Sequence, residues 1–341
     1  MNAAAPEKLV HRRRAARISG SLLDGDRIGA QTALGLRKAM RNVAFSTPIR
    51  RATAKSDADG AKQARSFGLL VFGTSGVTAA PAFLNLLRGV STEARDNNFE
   101  IFVNFVSDPS QIPPRVLERR VSGLLLHGER PDPSTEAVLK GLPTVWLMGN
   151  RFPPRWGDQV MPDNTLIGHM AAQHFIRHGV LSIAYLSASA PAWGHQVRQL
   201  AFQEQMADAG GTVNILRAEV GPAADLWQLD ASAARKLAEE FITLSPRPSG
   251  LFVEEDRHVP AIYAVLREAG ISVGPGRSVH MVSCNNEVPY LNALSPAPAT
   301  LDIRAESIGR RGVERLLWRM EHRHVPERLR ILVEPAMVES I

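Results

Sequence analysis

The chain has 341 residues, with 40 Lys and Arg, 34 Asp and Glu, a net charge of +6 and one cysteine. That length exceeds the ~250–300 residues over which a single core keeps growing, so two or three domains are expected. Hydrophobic residues at 44% and charged residues at 22% exclude a disordered chain, and the lone Cys284 excludes an internal disulfide or a multi-cysteine metal site.

Met1 leads into polar, Arg-rich sequence rather than a signal-like apolar run, and no stretch reaches the ~18–20 apolar residues that span a bilayer. The expectation is a cytoplasmic protein with no membrane partner. Charge is unevenly placed: the residues through Arg65 hold 14 Lys and Arg against 5 Asp and Glu, a local excess of +9, and the rest of the chain sums to −3. Cationic side chains gain by displacing counterions from a phosphate backbone, so the first 65 residues read either as a nucleic-acid contact or as a basic arm.

From Phe67 onward short apolar runs alternate with helical stretches. Strands are expected in FGLLVFG from Phe67, EIFVNFVS from Glu100, GLLLHG from Gly123, PTVWLMGN from Pro143, SIAYLSA from Ser182, GLFVEED from Gly250 and VHMVSCNN from Val279. Most are continuously apolar, as in strands of parallel sheets covered on both faces. Amphipathic helices are expected over 81–97, 166–178, 196–209, 231–243, 259–269 and 307–319. The alternation predicts right-handed βαβ units in doubly wound α/β layers, divided between two lobes. Ligands of such sheets bind beyond the carboxyl ends of the strands, which makes the interlobe cleft the expected site.

Two positions stand out on this reading. Asp256 ends an apolar strand, where its carboxylate would project into the cleft and accept hydrogen bonds from vicinal hydroxyls. Arg198 opens a helix and offers a planar fork of donors. Trp193 and Trp227 are candidates to stack on an apolar sugar face, although core tryptophans are as common.

The order of these segments resembles the sensor of the LacI/GalR repressors, a periplasmic-binding-protein-like fold. FGLLVFG and FLNLLRGVSTEARDNNFEI are similar to its opening strand and helix. VSGLLLHG and LPTVWLMGN resemble its next strands, and MPDNTLIGHMAAQHFIRHGVLSIAYL its first passage between lobes. VRQLAFQEQMADAG is similar to its R-x-x-G-F helix, with Ala201 in place of glycine. The segment SGLFVEEDRHVPAIYAVLREAGISVGPGRSVHMVSCNN matches the part carrying a pocket aspartate, and SPAPATLDIRAESIGRRGVERLLWRM resembles the return to the first lobe.

The resemblance adds Asn285, where the family often has aspartate, and Asp163 at the crossover, to Arg198, Asp256, Trp193 and Trp227 as effector-binding candidates. Asp163 and Asp256 also fit a helix N-cap reading. Residues 1–65 would form a DNA-binding head and linker and 66–341 the sensor. The first lobe is expected over 66–162 plus 290–323 and the second over 163–289 plus 324–341.

The head resembles two families. GDRIGAQTALGLRKAMRNVAF is similar to the third helix of a LacI-type helix-turn-helix head, with recognition inside HRRRAARISGSLL. Alternatively, ISGSLLDGDRIG and AFSTPIRRATAKSDADG resemble a GntR-type winged helix. The resulting DNA-contact candidates are Arg12, Arg13, Arg14, Arg17, Ser46, Thr47, Arg50 and Arg51.

No H-E-x-x-H, G-x-S-x-G or phosphate-binding glycine fingerprint occurs, and His169 and His174, five apart, do not share a helix face. No metal, cofactor or enzymatic activity is therefore expected. The combined reading is a homodimeric transcription regulator, a repressor or its like, that grips a double-stranded operator and responds to a small effector such as a sugar or polyol. The alternative is a sugar-type solute-binding protein whose head no longer binds DNA specifically.

Overall fold

The structure is a computed structural model that describes residues 66–73, 80–149, 156–189, 192–218 and 231–339. The chain divides between Gly60 and Ala61, and every described residue belongs to the second part. Trp227 and the eight DNA-contact candidates lie outside the described residues.

The first lobe opens with β1 (Ser66–Phe72), α1 (Pro81–Asp96) and β2 (Glu100–Val106), then α2 (Pro114–Leu117), β3 (Leu124–Gly128), α3 (Pro133–Leu139), β4 (Thr144–Leu147) and β5 (Asp158–Pro162). The second runs through α4 (Asn164–Arg177), β6 (Ser182–Ser187), α5 (Trp193–Asp208) and β7 (Thr212–Arg217). It continues with α6 (Ala231–Thr243), β8 (Gly250–Val253), a 3-10 turn Asp256–His258, α7 (Val259–Glu268), β9 (His280–Cys284), α8 (Val288–Leu291) and β10 (Ala299–Asp302). The chain then returns through α9 (Ala305–Glu321) and β11 (Arg330–Val333) and closes on β12 (Ala336–Val338).

Two six-stranded sheets result, in the orders β11-β5-β4-β3-β1-β2 and β12-β10-β9-β8-β6-β7. Among the described residues every strand pair is parallel except β10 with β12. The apolar runs explain this arrangement. In β1, Phe67, Leu69 and Val71 enter one core while Leu70 and Phe72 enter another, so both faces are covered by apolar side chains. In β6, Ile183 and Tyr185 likewise part from Ala184 and Leu186.

The seven expected strands and six expected helices are all present. The strands missing from the sequence reading are short or lie at edges. In β7, TVNILR alternates exposed with half-buried positions because the strand ends its sheet, and ATLD and RILV are four residues each.

The predicted lobe boundaries need correction. Residues 290–323 were assigned to the first lobe and 324–341 to the second, but β10 pairs with β9 in the second sheet and β11 pairs with β5 in the first. The chain thus crosses between lobes at Asp163, at Ile303–Arg304 and at 334–335. A four-residue strand carries too little pattern to reveal which sheet it joins; backbone pairing decides that.

One helix pair in each lobe packs at backbone contact. A Cβ on Gly89 of α1 would stand 2.0 Å from the Glu306 carbonyl of α9, and one on Gly309 2.3 Å from that of Leu86. In the second lobe a Cβ on Gly168 of α4 would stand 2.3 Å from the Arg198 carbonyl of α5. Glycine is required at these crossings by space rather than by dihedral angle.

The far edge of the first sheet is held by a buried ion network. Asp158 accepts from Arg315 Nε at 2.6 Å, from Arg319 Nε and Nη2 at 2.9 and 2.8 Å, and from the Leu329 amide at 2.9 Å. Burial alone would raise the Asp158 pKa, but these donors outweigh it and hold the carboxyl below its ordinary value. The network fastens α9 and the approach to β11 onto β5. Asp158→Ala leaves the buried Arg315 without its carboxylate, while Arg319 keeps the Val325 and Glu327 carbonyls, so a loss of about 3–5 kcal/mol is expected in urea unfolding of the intact chain. A loss under about 1 kcal/mol would mean that the guanidiniums find water instead.

Candidate functional site

The carboxyl ends of the two sheets meet at a seam. The clearest bond across it runs from the Ala82 amide, at the start of α1 in the first lobe, to Glu287 Oε1 beyond β9 in the second, at 3.3 Å. An acidic side chain is favoured there because the first amides of a helix have no intrahelical acceptor. A second contact places the Arg330 guanidinium of β11 5.4 Å from the Trp193 ring centre at the start of α5.

Asp256 is positioned by the end of β8, but its carboxylate does not project free into the cleft as the sequence suggested. It is fully buried, accepting the Glu287 amide at 2.7 Å and the Thr300 hydroxyl at 2.9 and 3.1 Å to its two oxygens. It therefore ties the ends of β8, β9 and β10 together. Burial pushes its pKa up to about 7 against the lowering effect of Ser283, the Glu287 amide and Thr300. Glu287 is pushed up to about 8, first by burial and then by the nearby charges of Asp256 and Glu255.

Arg198 sits on α5, 1% exposed. Its Nη1 donates to the Glu254 carbonyl at 2.8 Å and its Nη2 to Asn164 Oδ1 at 3.0 Å, while Nε has no hydrogen-bond partner. The fork joins α4, α5 and the end of β8, and leaves one donor in reserve. Asp163 takes the N-cap role: Oδ1 accepts the Leu166 amide at 3.0 Å, and its own amide donates to the Val333 carbonyl at 3.0 Å beside the third crossing. Asn285 is half-buried at φ 114°, with its amide donating to the Leu301 carbonyl at 2.8 Å. Such a φ is strained for a side-chain-bearing residue.

Several residues of the seam were not singled out from the sequence. Glu254 accepts Tyr185 Oη at 3.1 Å and Ser187 Oγ at 2.6 Å, with His195 Nδ1 3.5 Å away. Glu255 pairs with Arg257 at 2.7 Å and with Ser189, and the Arg257 guanidinium outweighs burial to hold it well below the usual carboxylate range. The signal was the run Glu254-Glu255-Asp256 at the end of an apolar strand, from which only the last residue was taken. Asn164 and Glu287 left no such signal, since each matters only through a contact distant in sequence.

The family model described as a periplasmic binding protein-like domain matches residues 172–339. The chain is 26% identical over 219 residues to the HTH-type transcriptional repressor PurR of Photobacterium profundum, a match covering 62% of this chain and 61% of that one. A LacI-family regulatory protein from Chloroflexus aggregans superposes with TM-score 0.67 at 22% identity, covering 81% of this chain and 97% of that chain. The described part of the chain has the two-lobed periplasmic-binding-protein-like fold that these LacI-family structures share. A LacI family regulator from Enterococcus faecium with bound ribose shares the fold at TM-score 0.65 and 17% identity, over 81% of this chain and 98% of that chain.

Four acidic side chains, Glu254, Glu255, Asp256 and Glu287, and two guanidiniums, Arg198 and Arg257, gather at the floor of the seam, and burial pushes two of the acids, Asp256 and Glu287, up to about 7 and 8. The described residues also enclose a cavity of about 290 Å³ near Lys140, Trp156, Asp158, Arg319 and Arg323, but it lies at the amino-terminal edge of the first sheet, away from the seam.

Asp256 and Glu287 have folded pKa values above their ordinary ones, so the folded sensor retains protons that the unfolded chain releases. Their contribution is fully present below about pH 4 and is lost as pH rises towards 7 and 8. Asp256→Asn removes one of these ionisations while losing an acceptor. The stability of the variant relative to the parent should improve steadily between pH 5 and pH 8, read from urea unfolding at fixed ionic strength. A pH-independent difference would place the Asp256 pKa near its ordinary value.

Proposed function

We propose that this chain is a ligand-controlled transcription repressor: its first 65 residues contact operator DNA, and a small neutral polar molecule, of the sugar or polyol type, binds in the seam between the lobes. The observation that carries the reading is the seam itself. Two six-stranded sheets face each other across it, are joined by three short crossings and touch through Glu287 and Arg330. Such a joint converts occupancy into a change of lobe angle.

The ligand would meet the reserve Nε donor of Arg198, the half-buried Asn285 amide group and the edge of Trp193. Asp256, Asp163 and Asn164 act beneath them by fixing the backbone. The likeness to the HTH-type transcriptional repressor PurR supports a regulator, and the shared fold with a regulator holding ribose supports a small polar effector. The basic excess of the first 65 residues supports a DNA partner, with Arg12, Arg13, Arg14 and Arg17 reaching phosphate and Ser46, Thr47, Arg50 and Arg51 forming the candidate recognition segment. A homodimer on a two-fold operator completes the proposal. No helix among the described residues is long and apolar enough to cross a membrane.

The test uses the intact protein and a version beginning at Ser66, each titrated with the intergenic DNA beside its gene at two salt concentrations and with excess competitor DNA. Specific binding that survives competitor and vanishes with the head supports the reading. A sugar and polyol panel is then screened by thermal shift, and a hit should change operator affinity ~5–150-fold, the range of a ~1–3 kcal/mol coupling. A ligand that stabilises the sensor and leaves DNA affinity unchanged, together with no specific DNA binding genome-wide, would reduce the protein to a solute-binding module.

A further inference from the structure

At the end of the second sheet opposite the seam, three histidines converge. His174 and His178 stand four residues apart on the last turn of α4, and His280 opens β9. Positions i and i+4 share one face of a helix, so the first two are adjacent by sequence alone; the third arrives from a strand 106 residues on. His174 Nε2 and His280 Nε2 are 2.9 Å apart, the ring centres lie 4.4–5.0 Å from one another, and one ligand atom from each residue falls within 4.8 Å of the other two.

The tautomers favour ligation. His178 Nδ1 lies 2.8 Å from the His174 carbonyl, which can only accept, so Nδ1 carries the proton and Nε2 keeps its lone pair. His174 Nδ1 has no hydrogen-bond partner and faces Glu339 Oε2 at 3.6 Å, just beyond β12. A proton on that nitrogen, held towards the carboxylate, again frees Nε2. A backbone carbonyl or carboxylate behind the imidazole is the usual outer support of a metal-binding histidine.

We propose that His174, His178 and His280 form a site for a divalent transition ion of the zinc type, with Glu339 orienting His174 and the fourth position open to solvent beside His178. Tetrahedral zinc at ~2.0–2.1 Å from nitrogen sets its ligands roughly 3.3 Å apart. The buried pair must open by only a few tenths of an ångström, and His178, which is exposed, closes by side-chain rotation. The proton shared between the two Nε2 atoms moves to Nδ1 of His280 when the ion enters. Imidazole nitrogens suit zinc, copper and nickel over magnesium or calcium. The ion would fasten the end of α4, the start of β9 and the end of β12.

His174 and His280 are each pushed down to about 4, by burial first and then by neighbouring positive groups, so both are neutral at physiological pH. The sequence-based expectation of no metal weighed His169 against His174 and passed over the H-x-x-x-H pair that does share a face.

The intact protein, treated with chelator and then dialysed free of it, is titrated with zinc chloride against a chromophoric chelator, and separately with cobalt chloride. One equivalent should bind, cobalt should give the visible absorption of a tetrahedral site, and zinc should raise the midpoint of thermal unfolding. Glu339→Gln should weaken zinc ~10–100-fold, as outer-shell changes do, and His178→Ala should weaken it further and abolish the thermal shift. His324→Ala, on an exposed histidine elsewhere, should change nothing. Binding that is absent, that is indifferent to His178→Ala, or that follows His324 instead would overturn the proposal.

Discussion

The two lobes depend on a constraint of connectivity: two six-stranded sheets that share one apolar cluster are joined by three crossings. Each is controlled locally. Asp163 caps α4 as the chain enters the second lobe. Asp302 accepts the Arg304 amide at 2.7 Å while Arg304 takes a left-handed conformation, φ 52° and ψ 49°, on the way back. The last crossing is only the two residues between β11 and β12, with the Val333 carbonyl bound by Asp163.

The buried polar groups around that joint serve order rather than stability. Moving carboxylates such as Asp256 and Glu254 out of water is costly, and their hydrogen bonds return only part of that cost. What they secure is register: Asp256 fixes the ends of three strands, Arg198 fixes two helices against the end of β8, and Glu287 links the lobes. Hydrophobic packing is non-directional and could not hold strand ends at this spacing. The elevated pKa of Asp256 and Glu287 is the consequence of burying acids for geometric reasons.

The second sheet thus carries ionisable clusters at both of its ends, with opposite pH behaviour. The acids at the seam lose stabilising effect as pH rises through 7 to 8. The neutral His174 and His280 contribute above about pH 6.5 and lose their contribution as pH falls towards 4. The two trends oppose each other between about pH 4 and 6.5, and above that only the loss from the acids remains.

The construction of the lobes is legible in the chain, because a strand such as FGLLVF, apolar on both faces, is stable only between two layers of helices. It also marked Arg198, Asp256 and Asp163 by their positions at element ends. What those side chains do depends on distant partners: Asp256 is a strand tie rather than an open ligand because Thr300 and the Glu287 amide, 44 and 31 residues away, reach it first. Which sheet β10 and β11 join, the partner of the α1 amino terminus, and the meeting of His280 with His174 and His178 were likewise settled by folding. Local pattern fixes which face of an element is apolar, whereas a polar contact depends on which distant group packing delivers to within hydrogen-bonding range.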